Sequence, residues 1–293
     1  MNKNKSGVFA LAFFLVVVLF SQIQIASAQD DSIYIRSDGS VEGTGFIRQD
    51  GNIYTLLSGF SKSIVIEKSD IIVDGKGAVL TLPSGGGTNI RLTQVNNITI
   101  KNMVIKDGYI GVVIENCTHV ILSDNNITIT DSPTFFYIAA AIRLENGGFH
   151  SIVNNNISNS RVGIWITESS HYNRIYHNNF INNKYHVFGD KDAISKSWWD
   201  NGYLSGGNYW DNYDGMDSYS GRYQNETGSD KIGDTPYFYL DYDNENETLF
   251  LDNFPLMKLV DIPEFSSWII LPLFLVSAFV IMVIKKKNCN VTL

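Results

Sequence analysis

Three glutamates keep one spacing along the middle of the chain. Glu115, Glu145 and Glu168 each stand 11 residues before an Asn that precedes an apolar residue, namely Asn126, Asn156 and Asn179. Carboxylates stacked at one corner of successive strands repel each other, so such a column recruits a cation or sugar hydroxyls, or holds a proton. Arg91 stands in the same phase one unit earlier and would end the column in a salt bridge; the plain alternative is a fan of solvated side chains. Glu145, Glu168 and Asp131 are also the candidate catalytic acids, because a glycosidase needs two carboxyls ~5–9.5 Å apart across a cleft. A lyase would need Arg143, Arg161 or Arg174 as base beside acidic calcium ligands, and no motif selects one of them.

Metal chemistry has two candidate sets. His119, His150 and His171 lie 7, 6 and 8 residues before their marker Asn, a loose column that a copper or zinc site would need to tighten to ~2.1 Å from one point. The drift favours solvent-facing turn residues. Asp211, Asp214, Asp217, Asp230 and Asp234 lie among Gly and Asn, with Asp241, Asp243 and Glu245 beyond, and hard oxygen donors on such loops suit calcium. The spacing is not an EF-hand, since Asn246 stands where Gly would be and Asp252 where Glu would be. Trp165, Tyr172 and Tyr176, with Tyr109, are candidates for stacking on sugar rings. Trp198, Trp199, Tyr209 and Trp210 form a denser cluster, with Gly202, Gly206 and Gly207 between them, sized to plug an open core rather than to present a sugar platform.

The elements that hold these residues repeat. "ITIKNMVI", "ILSDNNITI", "SIVNNNIS" and "RIYHNNFI" align on Asn102, Asn126, Asn156 and Asn179, with steps of 24, 30 and 23 residues. The long step contains residues 131–137, a loop bulging from one coil. Short β-branched runs alternate with polar residues between Asn, Gly and Ser, the pattern of strand and turn. A unit this short buries its apolar face only when stacked. The expected fold is therefore all-β, a parallel β-helix with coils of about 23 residues spaced ~4.8 Å apart, with Asn ladders at its turns.

The expected organisation is a signal peptide over 1–28, an N-terminal cap and first strands over 29–64, and β-helix repeats over 65–197. An aromatic, Gly- and Asp-rich cap over 198–260 follows, then a transmembrane anchor over 265–284 and a cytoplasmic tail over 285–293. Lys285, Lys286 and Lys287 place the tail inside. A net charge of -8 argues against a nucleic-acid partner. Cys117 falls outside the membrane and Cys289 inside, so the two cannot pair. Glycosylation acceptors occur at Asn97, Asn116, Asn126, Asn156, Asn225 and Asn246.

The repeats, followed in order by "WWDNGYLSGGNYWDNY", "GSDKIGDTPY" and "NFPLM", resemble the NosD-like β-helix proteins, in particular archaeal cell-surface members. The resemblance implies a right-handed β-helix of the type shared with carbohydrate-binding and sugar-hydrolysing proteins. It also makes Pro263-Glu264-Phe265 similar to an archaeal C-terminal sorting signal. The expected function is binding of polysaccharide or another surface component, such as a surface glycoprotein, by an exported, membrane-anchored protein. The alternatives are a polysaccharide lyase or glycoside hydrolase, and a copper-handling accessory like the family's namesake.

Overall fold

The computed structural model describes residues 32–130, 138–240 and 248–262. The chain divides into two units, residues 1–31 and 32–293, and every described residue lies in the second. The signal peptide, the loop with Asp131, the segment holding Asp241, Asp243, Glu245 and Asn246, the sorting signal, the anchor and the tail with Cys289 all lie outside the described residues. Among those described, no helix is long and apolar enough to cross a membrane.

Three sheets run the length of the repeat region, and each coil of chain adds one strand to each in turn. The first sheet passes through Ile33–Ile35, Ile64–Ile66, Thr88–Thr93, Ile110–Thr118, Ala140–Gly148, Val162–Ile166 and Tyr185–Gly189, all parallel. The second carries Ile53–Leu56, Ile71–Asp74, Ile98–Lys101, Ile121–Ser123, Ser151–Val153 and Arg174–Tyr176. The third carries Val79–Leu82, Val104–Asp107, Asn126–Thr128, Asn156–Ser158, Asn179–Ile181 and Tyr209–Trp210. This is a parallel β-helix. Alternation within each strand sends Ile, Leu and Val inward to one continuous core.

The register corrects the first marker. Asn126 stands beside Val104, not Asn102, so that step is 22 residues, followed by the expected 30 to Asn156 and 23 to Asn179. Asn102 occupies a left-handed turn position (φ 57°), as do Asp124 (57°), Asn154 (54°) and His177 (55°) in later coils. The residue after each of these turns inward. Asn125, Asn155, Asn178 and Asn208 form the buried ladder: each side-chain N–H donates to the next carboxamide oxygen at 3.0 Å. The ladder Asn is therefore the one preceding the marker, and its carboxamides pair with otherwise orphaned turn groups.

Both ends are closed. At the start, Val41–Glu42 lies antiparallel on Ile33–Ile35, and Ile47–Asp50 lies antiparallel on Ile53–Leu56, covering edges that would template association. At the other end, a short helix, Lys191–Ser195, is capped by Asp190, whose carboxylate accepts the Ala193 N–H (2.9 Å). Trp199 and Trp210 are 2 % and 1 % exposed, and Trp210 stacks between Phe180 of the last coil (4.3 Å) and Tyr237 of a terminal hairpin (4.2 Å). Trp198 does not plug the core: strand alternation turns it outward, and it is 52 % exposed. Tyr209 is half-buried at the edge of the lid.

Candidate functional site

The glutamate column is shorter than its spacing implies. Glu115 and Glu145 are in register, and each meets an arginine: Glu115 lies 3.9 Å from Arg91, and Glu145 is paired with Arg143. Arg91 itself stands beside Val113, so it reaches Glu115 diagonally. Glu168 leaves the column. Ile166 sits beside Leu144 but Ser170 beside Gly147, so one extra residue is taken up between them and Glu168 lies on an exposed turn. The Arg143 guanidinium also covers Trp165, 4.5 Å from its centroid, and Trp165 meets Phe188 edge-on at 6.0 Å. This face is a chain of ion pairs and ring contacts, with Glu145 held by its arginine rather than set across a cleft from Glu168.

The three histidines do separate work. His150 is not solvent-facing: it is buried, and its Nδ1 accepts the Val120 N–H at 3.2 Å, while its backbone N–H donates to Asn173 Oδ1. It therefore stands in a second inner ladder, in a place where the next coil uses Asn. Burial, aided by the neighbouring His119, pulls its pKa down to about 4, so it is the neutral acceptor this bond requires. His171 lies 3.2 Å from Asp192, and His119 stacks on Phe149.

Asp217, Asp230 and Asp234 of the cap are spent mainly on backbone. Asp217 accepts from Ser229, Asp230 N–H and Lys231 N–H; Asp234 accepts from Ser218 N–H and Tyr219 N–H; Asp230 accepts from Ile232 N–H and Gln224. Asp211 holds His186 Nε2 at 2.9 Å, and Asp214 is exposed. Among the described residues, no three His, Cys, Asp or Glu side chains converge as a metal site would require.

The aromatic candidates divide as well. Tyr109 packs against the core, and Tyr176 meets His177 edge-on at 5.1 Å. Tyr172 belongs to a column that the spacing of histidines alone hides. His119, Phe149, Tyr172 and Trp198 follow one another on successive coils, with centroids 5.6, 5.4 and 6.1 Å apart. Phe149, Tyr172 and Trp198 are 55 %, 43 % and 52 % exposed. His119, Phe149 and Tyr172 all take left-handed backbone (φ 57°, 57° and 60°) at the corner between the first and second sheets. Earlier coils place Asp70 (61°) and Asn97 (56°) there, joined by an Asn97 to Asp70 hydrogen bond of 2.9 Å. Short polar side chains and His suit this backbone, and Phe and Tyr strain it. The signal was in the sequence: His119, Phe149 and Tyr172 each lie 7 residues before Asn126, Asn156 and Asn179.

Centroid separations of this size describe an offset stack, in which each ring overlaps its neighbour only in part and keeps an open edge and part of a face. Arg174 borders the column, its guanidinium 5.9 Å from the Trp198 ring, with no ion-pair partner among the described residues. Of the glycosylation acceptors, Asn97, Asn116 and Asn225 are exposed; Asn126 and Asn156 are half-buried, side by side on adjacent strands.

A search of curated proteins finds no match. The family model described as periplasmic copper-binding protein (NosD) matches residues 23–215 of 293, from ahead of the first coil to just past the lid tryptophans. With that span and the stacked parallel coils, the chain belongs to the NosD family of β-helix repeat proteins.

Proposed function

We propose that the protein is an exported, membrane-anchored cell-surface protein whose right-handed β-helix binds polysaccharide along the corner bearing His119, Phe149, Tyr172 and Trp198. The carrying observation is that column: four rings on four coils, three of them about half exposed, with Phe149 and Tyr172 on left-handed backbone that disfavours them. Exposed apolar surface costs solubility and marks a binding face when it is contiguous. A linear polymer presents an apolar C–H face and a hydroxyl edge at every unit, and the column with its flanking Arg174 offers complementary surfaces. The periplasmic family supports a place outside the cytoplasm. Residues 1–28 as export signal and 265–284 as anchor complete the reading.

A glycan array probed with the full chain tests this. Binding of one or more polysaccharides, lost in a Tyr172→Ala/Trp198→Ala double variant of unchanged melting temperature, is expected. No binding above background, or equal binding by the double variant, would overturn it.

A further inference from the structure

The last coil and the terminal hairpin enclose a cavity of about 320 Å³ at a different corner, between the third and first sheets. We propose that this cavity is a second saccharide site that takes a single neutral sugar ring, a proposal that rests on the carbohydrate reading but not on the aromatic column. Its buried lining includes Val187 and Leu251, with the half-buried Tyr237 ring beside them. Its exposed lining includes the polar side chains of Lys184, Asn212 and Asp214. That division matches a pyranose, whose C–H face wants an apolar floor and whose hydroxyls want donors and acceptors at the edge. The volume lies at the lower end of the range for small-molecule sites.

The walls are fixed before any ligand arrives. Tyr237 is stacked on Trp210 at 4.2 Å, nearly parallel. The Tyr213 hydroxyl donates to Thr235 O at 2.6 Å, and its ring fills the space that a Cβ on Gly215 or Gly233 would need. His186, buried in the wall, is held by Asp211 at 2.9 Å, and burial keeps its pKa low and its ring neutral. The rim is less committed: the Lys184 ammonium lies 5.3 Å from the centroid of the Tyr185 ring, and neither it nor the Asp214 carboxylate has an ion-pair partner among the described residues. One cation and one anion at the mouth favour a neutral polyol over a uronate, because an anionic ring would meet Asp214 as well as Lys184.

Saturation-transfer NMR on the full chain, with methyl glycosides of glucose, galactose, mannose and N-acetylglucosamine and with galacturonate, tests the proposal. At least one neutral glycoside is expected to bind in the millimolar range and more tightly than galacturonate. Lys184→Gln and Asp214→Asn, both surface changes, should each weaken it at least fivefold at unchanged melting temperature, while Tyr172→Ala leaves it unaltered. No binding by any neutral glycoside, binding indifferent to both rim variants, or an equal signal from galacturonate overturns the proposal. Loss in Tyr172→Ala alone would also overturn it and would leave the polymer-binding column standing. Failure of the column alone would appear as no polymer retained while the methyl glycoside still binds.

Discussion

Two stacks of aromatic rings, built from the same residue types, do opposite things in this molecule. Phe180, Trp210 and Tyr237 stack within 4.2–4.3 Å and nearly parallel, with Trp210 sealed from solvent. His119, Phe149, Tyr172 and Trp198 are spaced 5.4–6.1 Å apart, tilt progressively, and stay open to water. The closed stack satisfies its polar atom as well: Trp210 Nε1–H donates to Asp252 at 2.9 Å. Burial and pairing show what stability requires of aromatic rings, and the open column has neither. The difference separates rings that hold the fold from rings available to something else.

The largest effect should fall on the closed stack. Trp210→Ala removes a buried ring between two others and takes away one of the donors to the Asp252 carboxylate, so a loss of ~3–5 kcal/mol is expected. A thermal melt should drop by roughly 10 °C, and a shift under ~2 °C would show that the lid does not close the core.

The next test uses charge. Asp252 ends the buried Asn ladder: its carboxylate accepts from Asn208 N–H (2.7 Å), Trp210 and Phe254 N–H (3.0 Å). Gly207 leaves room for it, since a Cβ there would collide with the carboxylate. Burial pushes this carboxyl up to about 7 against the pull of those donors, with Asp200 adding repulsion. Its folded pKa lies above the unfolded ~3.9, so the folded state holds the extra proton, and stability falls as pH rises from ~4 to 7. His150 runs the other way. Its folded pKa of about 4 lies below the unfolded ~6.5, so stability falls as pH drops from ~6.5 to 4. Each contribution amounts to roughly 3–4 kcal/mol over its window, and in the shared range they cancel. Asp252→Asn should therefore expose a melting temperature that falls on acidification, and His150→Asn one that falls on alkalinisation. Parallel profiles for the two variants would refute the assignment.

The β-helix was legible because β-branched alternation and a near-constant repeat leave few other ways to bury the apolar residues. The lid was legible as a cluster, but Trp198 and Trp199 are neighbours, and only strand alternation decides which enters the core. The Asn phase slipped at Asn102 because that coil has its Asn at the left-handed turn, with Met103 in the ladder place and Val104 in the marker place. Asp252 lay beyond reach, since it joins the ladder from 44 residues past Asn208. The open column escaped because its members are of different types, and following His119, His150 and His171 crossed three columns. His150 belongs to the inner ladder, one residue past Phe149.

The smallest stability change carries the sharpest functional test. Phe149 holds a left-handed φ of 57° with an aromatic side chain, where Asn97 holds the same corner at 56°. Phe149→Asn exchanges a strained residue for one suited to that backbone and gives up only an offset stack worth ~0.5–1.5 kcal/mol. Strain relief of ~1 kcal/mol offsets that loss, so the melting temperature should move by no more than ~2 °C. Polysaccharide retention should nonetheless fall severalfold, because the middle of the column becomes a gap between His119 and Tyr172. A fall of more than ~2 kcal/mol in stability would make the open column a structural brace like the closed one. Unchanged stability with unchanged retention would leave those rings without a ligand. Only a stable variant that no longer retains polymer fits a strained aromatic residue kept at this corner for what it contacts outside the molecule.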